Sequence, residues 1–164
     1  MPLDEQGRWS PPTSPKQDGL RALCRQKKFV LANGCRFSGK TVACLHALAE
    51  HAWLTPRGNA CMLTVSQTVG FDSGIWKDFT EVVLPEWIGG NFGMEWVKKP
   101  WIMGVSKKPT CEVTNRWGGT TTIQLESLAN EEEVEIRFKP RRYSMIYIPE
   151  LSTFNNRNTF TTLT

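Results

Sequence analysis

The octapeptide GCRFSGKT, residues 34–41, constrains the fold of this chain more than any other feature. It matches the pattern G-x-x-x-x-G-K-[ST], in which backbone N–H groups and a helix N-terminus surround a phosphate. The apolar segment KKFVLAN (27–33) precedes it, and residues 39–53 after it repeat apolar side chains with a helical period. The order strand, glycine loop, helix predicts a phosphate-binding loop in an α/β domain.

Each position of this loop has a role in such a site. Gly34 and Gly39 let the backbone turn and approach the phosphates closely. Lys40 neutralises the β- and γ-phosphates, and Thr41 offers a hydroxyl to Mg²⁺. Arg36 either reaches the γ-phosphate and stabilises transition-state charge or faces solvent. The backbone N–H groups of the whole loop form the phosphate cup, including those of Cys35, Arg36, Phe37 and Ser38.

A second segment, SMIYIPELS, supplies an apolar strand followed by Pro149 and Glu150. A hydrolase needs a carboxylate to orient the attacking water, at the end of a strand near the loop. Glu150 is the candidate for that role, although a glutamate after proline is also common at an ordinary helix start. Pro149 stands where an aspartate would support the metal. Three alternatives remain for the missing aspartate. Either Glu150 both orients the water and supports the metal, or Asp72 or Asp78 supports the metal instead, or hydrolysis is impaired.

The rest of the pattern fits one domain, because 164 residues with 40% hydrophobic content can bury one core. Residues 1–15, with four prolines, predict a flexible N-terminal arm. The further elements expected are a helix from Lys16, a strand at 60–66, a helix at 74–84, a loop at 85–109, a hairpin of CEVTN and TTTIQLES around RWGG, and strands VEIRF and YSMIYI.

Composition narrows the possible partners and compartment. The net charge of +4 favours polyanionic partners mildly. Five cysteines without C-x-x-C spacing favour neither a zinc site nor a disulfide framework, and no apolar run approaches the ~20 residues of a membrane span, so an intracellular, soluble protein is expected. Two basic clusters are candidate DNA contacts or solvated loops: Lys98, Lys99, Lys107 and Lys108 around Trp101, and Lys139 with Arg141 and Arg142.

With Gln17, the GCRFSGKT loop and Glu150 in this order, the chain resembles the ATPase domain of phage large terminase subunits, which package DNA into empty capsids. SPKQ looks like that family's adenine-recognition segment, which implies that Gln17 hydrogen-bonds adenine; otherwise Gln17 is a surface residue. SGIWKDF and RRYSMIYIPELSTF also look like family segments. The arginine two residues after the first glycine of the loop resembles that of the family, which favours the γ-phosphate role of Arg36.

The resemblance implies a three-layer P-loop NTPase fold, with a mainly parallel sheet and helices on both faces. It implies ATP and Mg²⁺ as cofactors and ATP-driven translocation of double-stranded DNA. The partners implied are a portal protein, a small terminase subunit and further copies in a homo-oligomeric ring. The expected location is the host cytoplasm, transiently on the procapsid, with no membrane partner.

Two departures from the family pattern matter. The family's strand normally ends in Asp-Glu, whereas this chain has Pro149 and Glu150. The sequence also stops before the coupling strand and the nuclease domain, so residues 16–164 are expected to form a partial ATPase domain with an incomplete sheet. The alternatives are a P-loop kinase for a nucleotide or small molecule, and a module that binds nucleotide without hydrolysing it.

Overall fold

Ten elements of secondary structure form in the parts of the chain that the computed structural model describes, which are residues 13–33, 38–56, 59–64, 74–90, 93–100, 109–127 and 143–149. The helices are α1 (Pro15–Gln26), α2 (Lys40–Leu54), α3 (Ile75–Asp78), a π-helical turn (Phe79–Val83) and α4 (Leu84–Ile88). The strands are β1 (Asn59–Thr64), β2 (Trp96–Lys98), β3 (Thr110–Thr114), β4 (Thr120–Ser127) and β5 (Tyr143–Tyr147).

The strands form one sheet in the order β2-β3-β4-β1-β5. β1 pairs in parallel with both β4 and β5, while β3 is antiparallel to β4 and to β2. Four of the five strands therefore run in the same direction, and β3 runs against them. The expectation of an α/β fold with a mostly parallel sheet is confirmed at this level.

Helix α2 packs on the sheet because one of its faces is apolar at helical spacing. Leu45, Leu48 and Ala52 are almost completely buried, and they belong to one core cluster with Ile123 and Leu125 of β4. Burial of a leucine side chain stabilises the fold by about 1.5–3 kcal/mol. These contacts fix the position of α2 over the strands.

The predicted β-hairpin is confirmed, and its turn explains why the sequence RWGG lies between the strands. The Asn115 side-chain oxygen accepts hydrogen bonds from the backbone N–H groups of Trp117 and Gly119, both at 3.0 Å. Gly118 has φ 76°, a left-handed conformation that favours glycine. The turn residues thus fix the register in which β3 pairs with β4.

The helix predicted at 74–84 is also confirmed, and the helical backbone continues to residue 88 through the π-helical turn. The N–H of Leu84 bonds to the carbonyl of Phe79, five residues earlier, which is the π-helical pattern. Pro85 occupies the first turn of α4, where prolines are tolerated. Phe79 and Trp87 pack into the core from this segment.

Two sequence expectations are wrong. Segment 27–33 is neither strand nor helix, and Phe29 and Leu31 are 59% and 77% exposed. A strand needs a hydrogen-bonded neighbour, and none of the described strands pairs with this segment. The loop expected at 85–109 contains most of α4 and all of β2. Pro85 does not end the helical segment, since it lies in the first turn of α4.

Both faces of β4 are covered. Ile123 and Leu125 face α2, while Gln124 and Glu126 on the opposite face are 8% and 2% exposed. Gln124 donates a hydrogen bond to Glu126 at 2.8 Å, and the Tyr143 hydroxyl contacts both side chains. α2 is the described helix with extensive contact to the sheet, so a helical layer on the opposite face stays a prediction.

Candidate phosphate-binding site

The start of α2 has one backbone feature that is typical of a phosphate loop. Gly39 is the N-cap, with φ 75° and ψ 11°, a left-handed conformation that strains any residue with a Cβ atom. Lys40 is the first helical residue, its Nζ donates to Ser38 Oγ at 3.0 Å, and Thr41 is exposed. No acidic residue lies in the first turn, so the positive end of the helix dipole stays available to an anion.

Two contacts show that α2 and β5 run antiparallel. Near the C-terminus of the helix, His51 Nε2 lies 2.8 Å from the Ser144 hydroxyl, near the beginning of β5. One turn after Lys40, the Cys44 thiol is hydrogen-bonded to the side chain of Tyr147, the last residue of β5. The residues that follow Tyr147 therefore continue from the end of the sheet where α2 begins.

The neighbouring strands end at the same edge. β4 and β1 are parallel to β5, so the carboxyl ends of all three strands lie at the edge of the sheet where α2 begins. In open α/β sheets, ligands bind outside the carboxyl ends of the parallel strands. Gly39 and Lys40 thus lie where that rule places a ligand.

Gln17 lies against the same N-terminus, although 22 residues separate it from Gly39. Its Nε2 donates to the Gly39 carbonyl oxygen at 2.9 Å, and its Oε1 accepts from the Ser14 N–H at 2.7 Å. The Ser14 hydroxyl in turn accepts from the Gln17 N–H, which completes a capping box at the start of α1. A Cβ atom on Gly39 would overlap the Gln17 amide nitrogen.

Ion pairs hold α1 in place on α2. Arg21, 8% exposed, bonds to Glu50 of α2 at 3.2 Å and to Asp18 at 3.1 Å. Arg25 bonds to the same Glu50 at 2.6 Å, and the Arg21 guanidinium lies 5.9 Å from the centre of the Trp87 ring. A buried, hydrogen-bonded arginine fixes the orientation of its helix, and with it the position of Gln17.

His46 on α2 is buried in its neutral form. Its Nδ1 accepts a hydrogen bond from the Trp87 indole N–H at 3.0 Å, and its Nε2 lies 3.9 Å from a Glu86 oxygen. Burial, together with the nearby Arg21 charge, lowers the pKa of His46 to about 4. Burial also lowers the pKa of His51. His46 and His51 contact different partners.

The cysteine next to the site is protonated at neutral pH. Burial, together with the neighbouring Cys24, raises the pKa of the Cys44 thiol to about 11. Burial also raises the pKa of Cys24. Neither thiol is therefore activated as a nucleophile, even though Lys40 is close to Cys44.

Several predicted residues fall outside the described part of the chain: Gly34, Cys35, Arg36, Phe37, Asp72, Trp101, Lys107, Lys108, Lys139, Arg141, Arg142 and Glu150. Asp78 is described and is exposed on α3, and Lys98 and Lys99 are exposed at the end of β2 and directly after it. The structure thus brings together Gln17, Gly39 and Lys40, and β5 ends at the same end of the sheet.

Sequence reasoning missed two of these contacts. The capping box was visible as Ser14 followed three residues later by Gln17, and it would have shown that the glutamine side chain folds back onto its own helix start. The contact between Cys44 and Tyr147 had no signal in the sequence, because it depends on how α2 crosses β5.

Comparison of the chain with protein-family models, curated proteins and solved structures gives no match. Within the described residues, the helices are all too short or too polar to cross a bilayer.

Proposed function

We propose that this chain is a P-loop domain that binds ATP with Mg²⁺ and that it belongs to a DNA-packaging motor of the phage large terminase type. One observation carries the proposal: α2 begins at Lys40, with its N-terminus at the edge of the sheet where β5 ends. A triphosphate there meets the helix dipole, a lysine and the residues that follow a parallel strand.

The binding step uses groups at the start of α2. The first-turn N–H groups of a helix lack intrahelical acceptors and are available to phosphate oxygens. In the proposed complex Lys40 leaves Ser38 and binds the β- and γ-phosphates, while Thr41 supplies a metal ligand. Thr41 is exposed and one residue further along the helix, which suits it to reach a metal on the phosphates.

We assign hydrolysis to two residues outside the described part of the chain, Glu150 and Arg36. Glu150, three residues after Tyr147, orients the attacking water and accepts its proton. Arg36 stabilises the charge that develops on the γ-phosphate.

In the full motor, ATP hydrolysis drives the translocation of double-stranded DNA. The partners are the portal protein, the small terminase subunit and further identical subunits in a ring at the procapsid. The exposed Lys98 and Lys99 suit sequence-independent contact with DNA phosphates.

A second candidate follows from Pro149, which lies in a turn two residues after the end of β5. Proline has no side-chain oxygen, so it cannot support the shell of a metal ion. A domain with this substitution would bind nucleotide without turnover unless another carboxylate replaces the missing group. This candidate shares the binding step with the motor and differs in hydrolysis.

Two measurements distinguish the hydrolysing motor from the module that binds nucleotide without turnover: a calorimetric titration with Mg·ATP measures binding, and a phosphate-release assay measures hydrolysis. Lys40→Ala should abolish nucleotide binding, whereas Lys77→Ala, which removes an exposed lysine of α3, should leave it unchanged. Glu150→Gln should preserve binding and remove turnover, with Glu81→Gln on the exposed helix surface as its control.

Each outcome has a distinct meaning. Binding that survives Lys40→Ala would refute the phosphate site. Turnover in the Glu150→Gln protein would refute the assignment of the base. Binding without phosphate release by the unaltered protein would favour the non-hydrolysing module, and phosphate transfer to an added acceptor would favour a kinase.

A further inference from the structure

The side-chain amide of Gln17 connects the start of α1 to the start of α2. A primary amide has two N–H donors and two acceptor lone pairs. Among the described residues, one donor is used by the Gly39 carbonyl and one lone pair by the Ser14 N–H. One donor and one acceptor remain, and a glutamine that binds the edge of an adenine uses one group of each kind.

The contact with Gly39 controls more than a single carbonyl. The Gly39 C=O and the Lys40 N–H belong to one planar trans peptide unit, so an interaction that orients the carbonyl also orients the N–H. The Lys40 N–H is a first-turn donor of α2. The same carbonyl accepts from the Ala43 N–H at 3.0 Å, so Gln17 acts on the first hydrogen bond of the helix.

The close packing of Gln17 against Gly39 depends on the identity of both residues. Gly39 adopts its left-handed conformation directly against the Gln17 amide, and any Cβ atom would occupy the space of the amide nitrogen. α1 is held independently by the pairing of Arg21 and Arg25 with Glu50. The amide is therefore anchored on a helix that does not depend on the phosphate loop for its own position.

We propose that Gln17 is a positioning residue for the Gly39–Lys40 peptide, and that through its single amide it links a bound base to the phosphate-binding end of α2. This inference rests on the proposed function, because it assumes that a triphosphate binds at residues 34–41. A residue that only reads the base affects ATP alone. A residue that positions the peptide also affects a triphosphate that has no base.

The test measures the binding of Mg²⁺-tripolyphosphate and of Mg·ATP by calorimetry. Gln17→Glu keeps an acceptor for the capping box but has no N–H for the Gly39 carbonyl, and Gln17→Met removes the amide without adding charge. Ser14→Ala is the matched control, because it disrupts the capping box and leaves the Gln17 donor in place. Both Gln17 variants should bind tripolyphosphate about three- to tenfold more weakly, the effect of one hydrogen bond, and Ser14→Ala should bind it as the unaltered protein does.

A second measurement needs no ligand. The amide proton of Ala43 should exchange faster with solvent in both Gln17 variants than in Ser14→Ala, because its acceptor carbonyl is no longer held in place.

Four results would overturn the inference. Unchanged tripolyphosphate binding in both Gln17 variants, with weakened ATP binding, would make Gln17 a base reader alone and leave the proposed function standing. Equal weakening in Ser14→Ala would assign the effect to the stability of α1. Weakening in Gln17→Glu alone would assign it to the added charge. Absence of both ATP and tripolyphosphate binding in the unaltered protein would remove the proposed function itself.

Discussion

The neutral, buried His46 makes the stability of the fold depend on pH. Its folded-state pKa of about 4 lies below the ordinary value of 6.5, so the unfolded chain takes up a proton first as the pH falls. The contribution of neutral His46 to the free energy of unfolding is fully present above pH ~6.5 and is lost as the pH falls toward ~4. Linkage over this window gives a loss of about 2 kcal/mol between pH ~7.5 and ~5, and about 3 kcal/mol once the folded state is also protonated.

The groups around His46 set this magnitude. The Arg21 charge and burial disfavour the imidazolium, while Asp18 favours it. Glu86, whose own pKa is raised by burial, lies 3.9 Å from Nε2 and becomes a partner once the ring is charged. Trp87 donates to Nδ1 and so opposes protonation at that nitrogen. Relaxation toward Glu86 would reduce the loss, so the figures above are upper values.

The assay is urea-induced unfolding, followed by circular dichroism at several pH values between ~7.5 and ~5, where most carboxylates stay ionised. His46→Gln should remove most of the pH dependence, because a glutamine oxygen can accept from Trp87 without titrating. His51→Gln should keep the larger share, although burial lowers the pKa of His51 as well. The chain has only these two histidines. A His46→Gln protein that loses as much stability as the unaltered one would refute the reasoning.

Two further predictions concern packing. Arg21→Met should lower the free energy of unfolding by about 2–3 kcal/mol in denaturant titrations, because Arg25 would be the one ion-pair partner of Glu50 left among the described residues. A loss within ~0.5 kcal/mol would show that apolar contact can replace the buried pair. Trp117→Phe should lower the free energy of unfolding by about 1 kcal/mol, because the indole N–H donates to the Leu54 carbonyl at 2.8 Å. The Trp117 side chain is 58% exposed, so unchanged stability would show that water replaces this hydrogen bond.

Local signals in the sequence were sufficient for part of the fold. The period of residues 39–53 predicted α2, and RWGG between two alternating runs predicted the hairpin. Residues close together in the sequence determine such elements, and the observed ends differ from the predicted ends by about one residue. Segment 27–33 shows the limit of this reasoning, because its apolar composition is compatible with a strand but strand formation needs a partner elsewhere in the chain.

The residues of the phosphate-binding loop could be predicted from the sequence, but their contacts with the rest of the protein could not. Lys40 and Thr41 follow from a contiguous pattern, whereas the approach of Gln17 to Gly39 depends on how α1 folds back over α2. That packing is held by Arg21, which in the sequence is one of twenty basic residues without distinguishing features. Its pairing with Glu50 spans 29 positions and becomes visible only when both helices are in place.

The same helix carries the core and the site, and this limits which parts can move when a ligand binds. Leu45 and Leu48 of α2 are fully packed against the sheet, so a shift of α2 by even one residue, about 1.5 Å, would dislodge them at a cost of several kcal/mol. At the site itself, α1 contacts α2 through the Gln17 amide, a single hydrogen bond worth about 0.5–1.5 kcal/mol, which can exchange partners at far lower cost than the buried pairing of Arg21 with Glu50. We therefore expect ligand binding to rearrange the contacts at the start of α1 while α2 and the Arg21–Glu50 pair stay fixed, and solvent exchange should change around Gln17 before it changes in the buried half of α2.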